Sequence, residues 1–293
     1  LKRIRHFIEY VLARLIFFLF DTLPYGMTCL FGRCVADAWW FFDRDRQRVA
    51  KENILRSGIE TDPEKALKLA KDASRHMAIV AVESLRSSHF LNDDRKDEHI
   101  TLKIPPDALE ALEDPNQGLI LASGHFGNWE VAAHALSHYK PVAGITRKMN
   151  NPLVEKLVKK RKARYRFRPI PKHDSNSGRF LEVLDNNEIL ALLFDQHAGE
   201  LGMPIDFFGH PASTFTTAAM LHLVTRAPLC VGFCKRTGPM KFEITTSNII
   251  RHQRSGNKKD DIRAILELLN HHLETAIRDA PEQYMWGHRR WRD

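Results

Sequence analysis

One histidine and one glutamate in the stretch ILASGHFGNWE, Ile120 to Glu130, are of the types that acid–base chemistry uses. A carboxylate on one ring nitrogen of His125 leaves the other nitrogen as a proton acceptor, which makes such a pair a general base. The H-x4-[DE] pattern is weak by itself, because it occurs three times: His125/Glu130, His89/Asp94 and His288/Asp293. The second lies in the polar stretch HFLNDDRKDE with no strand before it, and the third ends on the last residue. Only the first follows an apolar run and opens a helix. There Gly124 and Gly127 permit a tight turn and close approach of a substrate. Glu130 falls in the first helical turn, where the helix dipole favours a carboxylate. A corner histidine beside a helix-capping glutamate has the same spacing, so spacing leaves both readings open.

Other chemistries find less support. No G-x-S-x-G, P-loop, G-x-G-x-x-G or H-E-x-x-H pattern occurs, which argues against an elbow-type serine hydrolase, a Walker NTPase and a zincin. His134 and His138 share a helix face and His271 adjoins His272, but neither pair has an evident third metal ligand. Cys230 and Cys234 are expected on one strand, about 13 Å apart, too far for a disulfide. Together with Cys29 and Cys34 they read as buried free thiols in a reducing compartment. The run KLVKKRKARYRFR carries eight Lys and Arg between Lys156 and Arg168. Its first part is helical, and its last part alternates Arg164, Arg166 and Arg168 with Tyr165 and Phe167, as a half-buried strand does. It reads as a solvated face or as a docking surface for an anionic partner. No nucleic-acid recognition motif accompanies it.

The elements that must position these residues follow from composition and periodicity. A chain of 293 residues with 43% hydrophobic and 27% charged residues is globular. Its net charge of +8 suits an anionic partner: nucleic acid, an anionic membrane, an acidic protein or a phosphorylated substrate. Eleven aromatic side chains crowd into residues 1–42. The run FIEYVLARLIFFLF, Phe7 to Phe20, contains Glu9 and Arg14 and is shorter than the roughly 20 apolar residues of a spanning helix. No small-residue cleavage site follows it, as a signal peptide requires. Lys2, Arg3 and Arg5 precede it and Arg33, Arg44, Arg46 and Arg48 follow, so neither end is preferred outside. We expect an interfacial or shallowly inserted helix, with ADAWWFF as a second aromatic anchor. A buried helix pair and a single span are the alternatives.

Asp62-Pro63-Glu64 marks a helix start, with Asp62 as the N-cap. From residue 118 short apolar runs (Leu119–Ala122, Val142–Ile145, Ile189–Phe194, Leu229–Phe233 and the alternating KFEITTSNI) alternate with helical stretches near 128–138, 151–163, 177–186, 213–226 and 259–278. This order predicts an α/β fold with a mainly parallel sheet flanked by helices. We divide the chain into a membrane-associating helical region, residues 1–42, and an α/β domain, residues 43–293. Ligands bind beyond the carboxyl ends of such strands. SGHFGNWE, TRKMNNP and DQHAGELGMPIDFFGHPAST lie there, and polar, glycine and histidine residues gather in them.

At SGHFGNWE the chain resembles the lipid A biosynthesis acyltransferases, the lauroyl/myristoyl secondary acyltransferase branch of the lysophospholipid acyltransferase superfamily. TRKMNNP, LLFDQHAG, DFFGHPASTFTTAAMLHLVTRAPL and PEQYMWGHRRW are similar to further family blocks, in the same order. His210 after FFG and His197 after Asp-Gln depart from the usual residues. The resemblance implies a glycerolipid acyltransferase-like fold and transfer of an acyl chain from acyl carrier protein to a hydroxyl of a membrane glycolipid, a lipid A precursor. It implies no metal, no cofactor and no covalent enzyme intermediate. His125 would take the hydroxyl proton and Glu130 would orient the ring. A backbone N–H of Gly127 or Asn128 would hold the oxyanion. Arg147 would pair with phosphate, and Asn150, Asp195, Gln196, Phe208 and Gly209 would line the substrate site. The basic surface suits an acidic carrier protein and an anionic membrane surface. The site would lie on the cytoplasmic face of the bacterial inner membrane. Two rivals remain at this level: an acyltransferase for another glycolipid or a lysophospholipid, and a non-catalytic binder of anionic membrane or nucleic acid.

Overall fold

The computed structural model describes residues 2–92, 95–162 and 165–292. Four helices come first: α1 (Lys2–Thr22), α2 (Tyr25–Phe42), α3 (Arg44–Ser57) and α4 (Pro63–Phe90). Asp62 caps α4, its carboxylate accepting from the Glu64 and Lys65 N–H groups at 2.9 Å. A short turn α5 (Lys96–His99), β1 (Ile100–Lys103), α6 (Pro106–Glu113), β2 (Leu119–Ser123), α7 (Trp129–Leu136), β3 (Val142–Thr146), α8 (Pro152–Lys162), β4 (Phe167–Pro171), α9 (Ser177–Asp185) and β5 (Ile189–Leu193) follow. The chain ends with β6 (Met203–Phe207), β7 (His210–Thr214), α10 (Thr217–Thr225), β8 (Leu229–Gly238), β9 (Lys241–Thr246) and α11 (Lys258–Asp279).

Among the described residues seven strands form one sheet in the order β1-β9-β8-β2-β5-β3-β4. Strands β8, β2, β5, β3 and β4 run parallel, while β9 returns antiparallel to β8 and carries β1 beside it. The expected mainly parallel α/β sheet is thus present. β2 is buried along its whole length, as helices on both faces require. Ile120 and Ala122 point into a core shared with Leu266 and Leu269 of α11, and Leu119 and Leu121 into one shared with Leu112 of α6 and Leu136 of α7.

The stretch between β5 and α10, which carries no expected element before residue 213, holds an antiparallel hairpin in its own two-stranded sheet. Phe207 pairs with His210, and Phe208 and Gly209 between them have φ of 53° and 75°. Positive φ at both central positions is the two-residue turn that matches strand twist. The hairpin delays α10 to Thr217.

The N-terminal pair inverts the usual amphipathic arrangement. Helix α2 buries a small face, Thr28, Gly32 and Ala36, against α4, where a Cβ on Gly32 would stand 3.0 Å from Val82. Its Met27, Leu30, Phe31, Val35, Trp39 and Phe42 are exposed. Helix α1 buries only Phe20 and exposes Ile4, Phe7, Ile8, Val11, Leu12 and Leu15 at helical spacing. The alternative of a buried helix pair is therefore wrong: small residues allow close packing, and the bulky ones are left outside. Among the described residues no helix is long and apolar enough to cross a membrane. The pair is tied down by Arg75, which binds the Asp37 carboxylate bidentately at 2.8 Å. Arg86 donates to the Phe20 and Leu23 carbonyls, and Arg161 pairs with Asp21.

Candidate active site

β2 ends in a turn whose backbone is held from two sides. Gly127 donates to the Gln283 carbonyl at 2.9 Å, Asn128 to the Cys234 carbonyl at 2.8 Å, and the His125 carbonyl accepts from Met285 at 3.1 Å. β8 and the segment after α11 therefore fix the turn. Gly127 has a φ of +60°, and a Cβ there would lie 1.9 Å from the Cys234 carbonyl oxygen. Only glycine meets both conditions. Asn128 then caps α7, its Oδ1 accepting from the Val131 N–H at 3.1 Å.

The side chain of His125 is 17% exposed. Its Nδ1 lies 2.8 Å from Asp195 Oδ1, and its backbone N–H donates to Asp195 Oδ2 at 2.9 Å. The sheet explains the meeting. β2 and β5 are neighbours, with Ser123 paired to Leu193, so His125 and Asp195 stand at equal distances beyond the two strand ends. Burial works against a charged ring, but the Asp195 charge and hydrogen bond, joined by the Glu130 charge, outweigh it and hold the His125 pKa above the ordinary histidine value. Burial likewise opposes the Asp195 charge, and His125 with Arg290 brings its pKa net below the usual carboxylate range. With the Nδ1 proton held by Asp195, the Nε2 lone pair is the basic edge. Gln196 Nε2 lies 3.4 Å from that nitrogen, and the Trp129 ring stands edge-on to the imidazole at 5.0 Å.

Two expectations are corrected here. The carboxylate bonded to the ring is Asp195, at 2.8 Å from Nδ1, where Glu130 was expected; Glu130 adds to the ring's electrostatics through its charge. Asp195, placed in the acceptor site from the sequence, takes the position expected for Glu130. The backbone N–H groups of Gly127 and Asn128 are engaged by carbonyl oxygens that build the turn, so neither is available to an oxyanion.

The other expected residues fall in two places. Arg147 and Asn150, both exposed, border a groove of about 640 Å³ between α1 and the loop before α8, with Lys148 and Met149. The built-in asparagine there is Asn151, which is buried. It caps α8 and donates to the His6 carbonyl at 2.8 Å and to Glu9 at 2.7 Å on α1. Phe208 and Gly209 form the hairpin turn. The Phe208 N–H donates to Glu274 at 2.7 Å and the Arg278 guanidinium covers its ring, so the fold accounts for both residues without His125. His197 donates its N–H to His288 Nε2 at 3.0 Å, and His210 sits edge-on to Trp291.

Three of the arginines in the basic run are engaged within the protein. Arg161 bonds Asp21 and the Leu85 carbonyl, Arg166 the Ser137 and His138 carbonyls, and Arg168 both Glu182 and Glu188. Lys156, Lys159 and Lys160 of α8 remain exposed; Arg164 lies outside the described residues. His89 pairs with Asp21 at 3.0 Å; Asp94 and Asp293 also lie outside the described residues. Cys230 and Cys234 are buried on β8, whereas Cys34 is exposed and Cys29 half-buried.

The surroundings of Asp195 come mostly from the last residues of the chain. Arg290, 2% exposed, donates to the Ser213 carbonyl at 2.5 Å and to Thr214 at 2.7 Å, with its charge toward Asp195. The buried Tyr284 phenol has its ionisation pushed up by burial and by the Asp195 charge. Burial lowers the His288 pKa to about 4, so its ring is neutral and accepts from His197. The block PEQYMWGHRRW signalled this region, but only the fold assigns its residues.

The whole chain, residues 1–293, matches the family described as "Bacterial lipid A biosynthesis acyltransferase". It is similar to a lipid A biosynthesis palmitoleoyltransferase of Escherichia coli (strain K12), 23% identical over 94% of this chain and 89% of the relative. A lipid A biosynthesis acyltransferase of Shigella flexneri matches at the same identity of 23% and the same coverage, 94% and 89%. A lipid A biosynthesis lauroyltransferase of Escherichia coli (strain K12) is 26% identical over 68% of this chain and 64% of the relative.

Proposed function

The chain belongs to the bacterial lipid A biosynthesis acyltransferase family, and from that premise we propose that it moves an acyl chain from acyl carrier protein to a hydroxyl of a lipid A precursor, with His125 as general base. The observation that carries this reading is the His125–Asp195 pair beyond the β2 and β5 ends, with the Nε2 edge turned toward Gln196. His125 Nε2 takes the hydroxyl proton as the oxygen attacks the thioester carbonyl. The Asp195 carboxylate stabilises the imidazolium, and the Glu130 charge adds to it. In this reading Gln196, whose Nε2 lies 3.4 Å from His125 Nε2, supplies a side-chain donor to the oxyanion. The intermediate collapses as the C–S bond breaks, and the departing thiolate takes the proton from His125. A C–O bond has then replaced a C–S bond with no net proton change.

Arg147 and Lys148 on the α1 groove suit a phosphate of the acceptor. Lys156, Lys159 and Lys160 suit an acidic carrier protein. The outward apolar faces of α1 and α2, with their flanking arginines, suit seating on the anionic cytoplasmic face of the inner membrane. A cell lacking the gene is expected to make lipid A short of one acyl group, read by mass spectrometry. Unchanged lipid A with an altered phospholipid or other glycolipid overturns the acceptor assignment.

The seating has its own test. Phe7, Val11 and Trp39 are 59%, 47% and 65% exposed, so Phe7→Glu/Val11→Glu/Trp39→Glu is expected to fold normally. Each buried apolar side chain is worth about 1.5–3 kcal/mol. Co-sedimentation with phosphatidylglycerol vesicles is expected to weaken at least tenfold, and undiminished binding overturns the seating.

A further inference from the structure

Glu83 of α4 is completely buried, and an isolated carboxylate there would be costly. Its oxygens are surrounded by donors from three other parts of the chain. Tyr25 of α2 donates to Oε1 at 2.6 Å and Arg236 of β8 at 2.9 Å, while Asn128 donates its Nδ2 to Oε2 at 3.3 Å. Arg236 also donates to the Tyr25 hydroxyl at 2.9 Å, and the Met240 N–H approaches Oε1 at 3.4 Å.

The consequence lies in Asn128. A carboxylate accepts only, so Glu83 turns the Asn128 amide with Nδ2 toward itself and Oδ1 away. Oδ1 then caps the Val131 N–H and accepts from Ser84 at 3.2 Å. The amide orientation of Asn128, three residues along the chain from His125, is thus set by Glu83. Glu83 is set in turn by Tyr25, at the first position of the helix whose outer face is a row of exposed apolar side chains. Arg236 closes the frame through Gln283, which bonds both its N–H and its carbonyl and accepts from Gly127.

We propose that Glu83 is a positioning residue for His125, and that its bond to Tyr25 couples the seating of the α1–α2 pair on a lipid surface to the geometry of the catalytic turn. The proposal rests on the reading of His125 as the base. A shift of α2 moves the Tyr25 hydroxyl, frees one side of Glu83, and loosens the Asn128 cap. The expected behaviour is a turnover that responds to the membrane without a change in affinity for the acyl donor.

The test uses the full chain, acyl carrier protein thioester, and lipid A precursor presented in detergent micelles or in phosphatidylglycerol vesicles. For the unaltered protein, vesicles are expected to raise kcat and to slow amide hydrogen exchange in the peptide spanning residues 119–132. Tyr25→Phe keeps the ring and removes one hydroxyl. It is expected to lower vesicle-bound kcat about tenfold, leave KM for the thioester unchanged, and abolish the vesicle effect on exchange. Glu83→Gln retains an acceptor oxygen for Asn128 and is expected to keep at least ten times the kcat of Glu83→Ala. An unaltered protein whose exchange ignores vesicles, a Tyr25→Phe protein that responds normally, or Gln and Ala variants of equal kcat overturns the proposal. His125→Ala separates the two levels: full turnover in that variant removes the catalytic reading itself, whereas an inactive His125→Ala beside a normal Tyr25→Phe removes only the coupling.

Discussion

A His125→Ala protein is expected to fold and to show no acyl transfer above the uncatalysed rate, and Asp195→Asn is expected to lose about 10³–10⁴ in kcat. Alanine leaves the turn intact, because Gln283, Cys234 and Met285 hold the backbone and not the ring. Asparagine can present its amide nitrogen to Nδ1, which reverses the tautomer and puts the proton on the edge that must accept one. The pH profile separates a dyad from a structural pair. A base works when neutral, so kcat/KM rises with pH through the His125 pKa, and that limb is expected above the ordinary histidine value. Asp195→Asn removes the largest influence that raises it and leaves burial in control, so the limb moves below the ordinary value. Glu130→Gln keeps the Nδ1 bond and shifts the limb less. Purified variants assayed from acid to alkaline pH decide this, and equal shifts for the two carboxylates would show that the ring is not organised by Asp195.

Gly127→Ala is the second large effect. A left-handed backbone costs a side-chain-bearing residue about 1–2 kcal/mol. Here a methyl group would also stand 1.9 Å from the Cys234 carbonyl oxygen. The obstacle is backbone in the buried strand β8, which cannot swing aside as a side chain does. Either the turn leaves β8, releasing the Asn128 N–H and the cap of α7, or the strand moves. A loss of more than about 4 kcal/mol is expected, seen in denaturant unfolding as a lower midpoint or as insoluble protein. Gly209→Ala is the control. Its φ is also positive, at +75°, but nothing lies within 4 Å of an added Cβ, so a small loss is expected. Equal stability of the two variants would show that close approach at Gly127 is not the constraint.

Much of the fold was legible because local pattern and global role agree. The all-apolar β2, the capped start of α4 at Asp62 and the alternating run that became β9 each carry their own signal. The hairpin at Met203–Thr214 was not legible. Its turn is Phe-Gly, and the phenylalanine is held at positive φ by Glu274 and Arg278 from α11, a tertiary override of turn preference. The basic run shows the same limit. Arg161, Arg166 and Arg168 look like a solvated patch in sequence, but their partners are carbonyls and carboxylates from remote segments.

His125 as the candidate base, the glycine turn that presents it, the strand-turn-helix around it and the family could be read from the chain alone, because these are encoded within a dozen neighbouring residues or in ordered blocks. Which carboxylate bonds His125 depends on long-range packing. Glu130 is near in sequence and acts on the ring through its charge, whereas Asp195, 70 residues away, is delivered to Nδ1 by the pairing of β2 with β5. The outward direction of the α1 and α2 apolar faces was decided in the same way. Periodicity shows that a helix has an apolar stripe, and the packing of Gly32 and Ala36 on α4 determines that the stripe faces away from the protein.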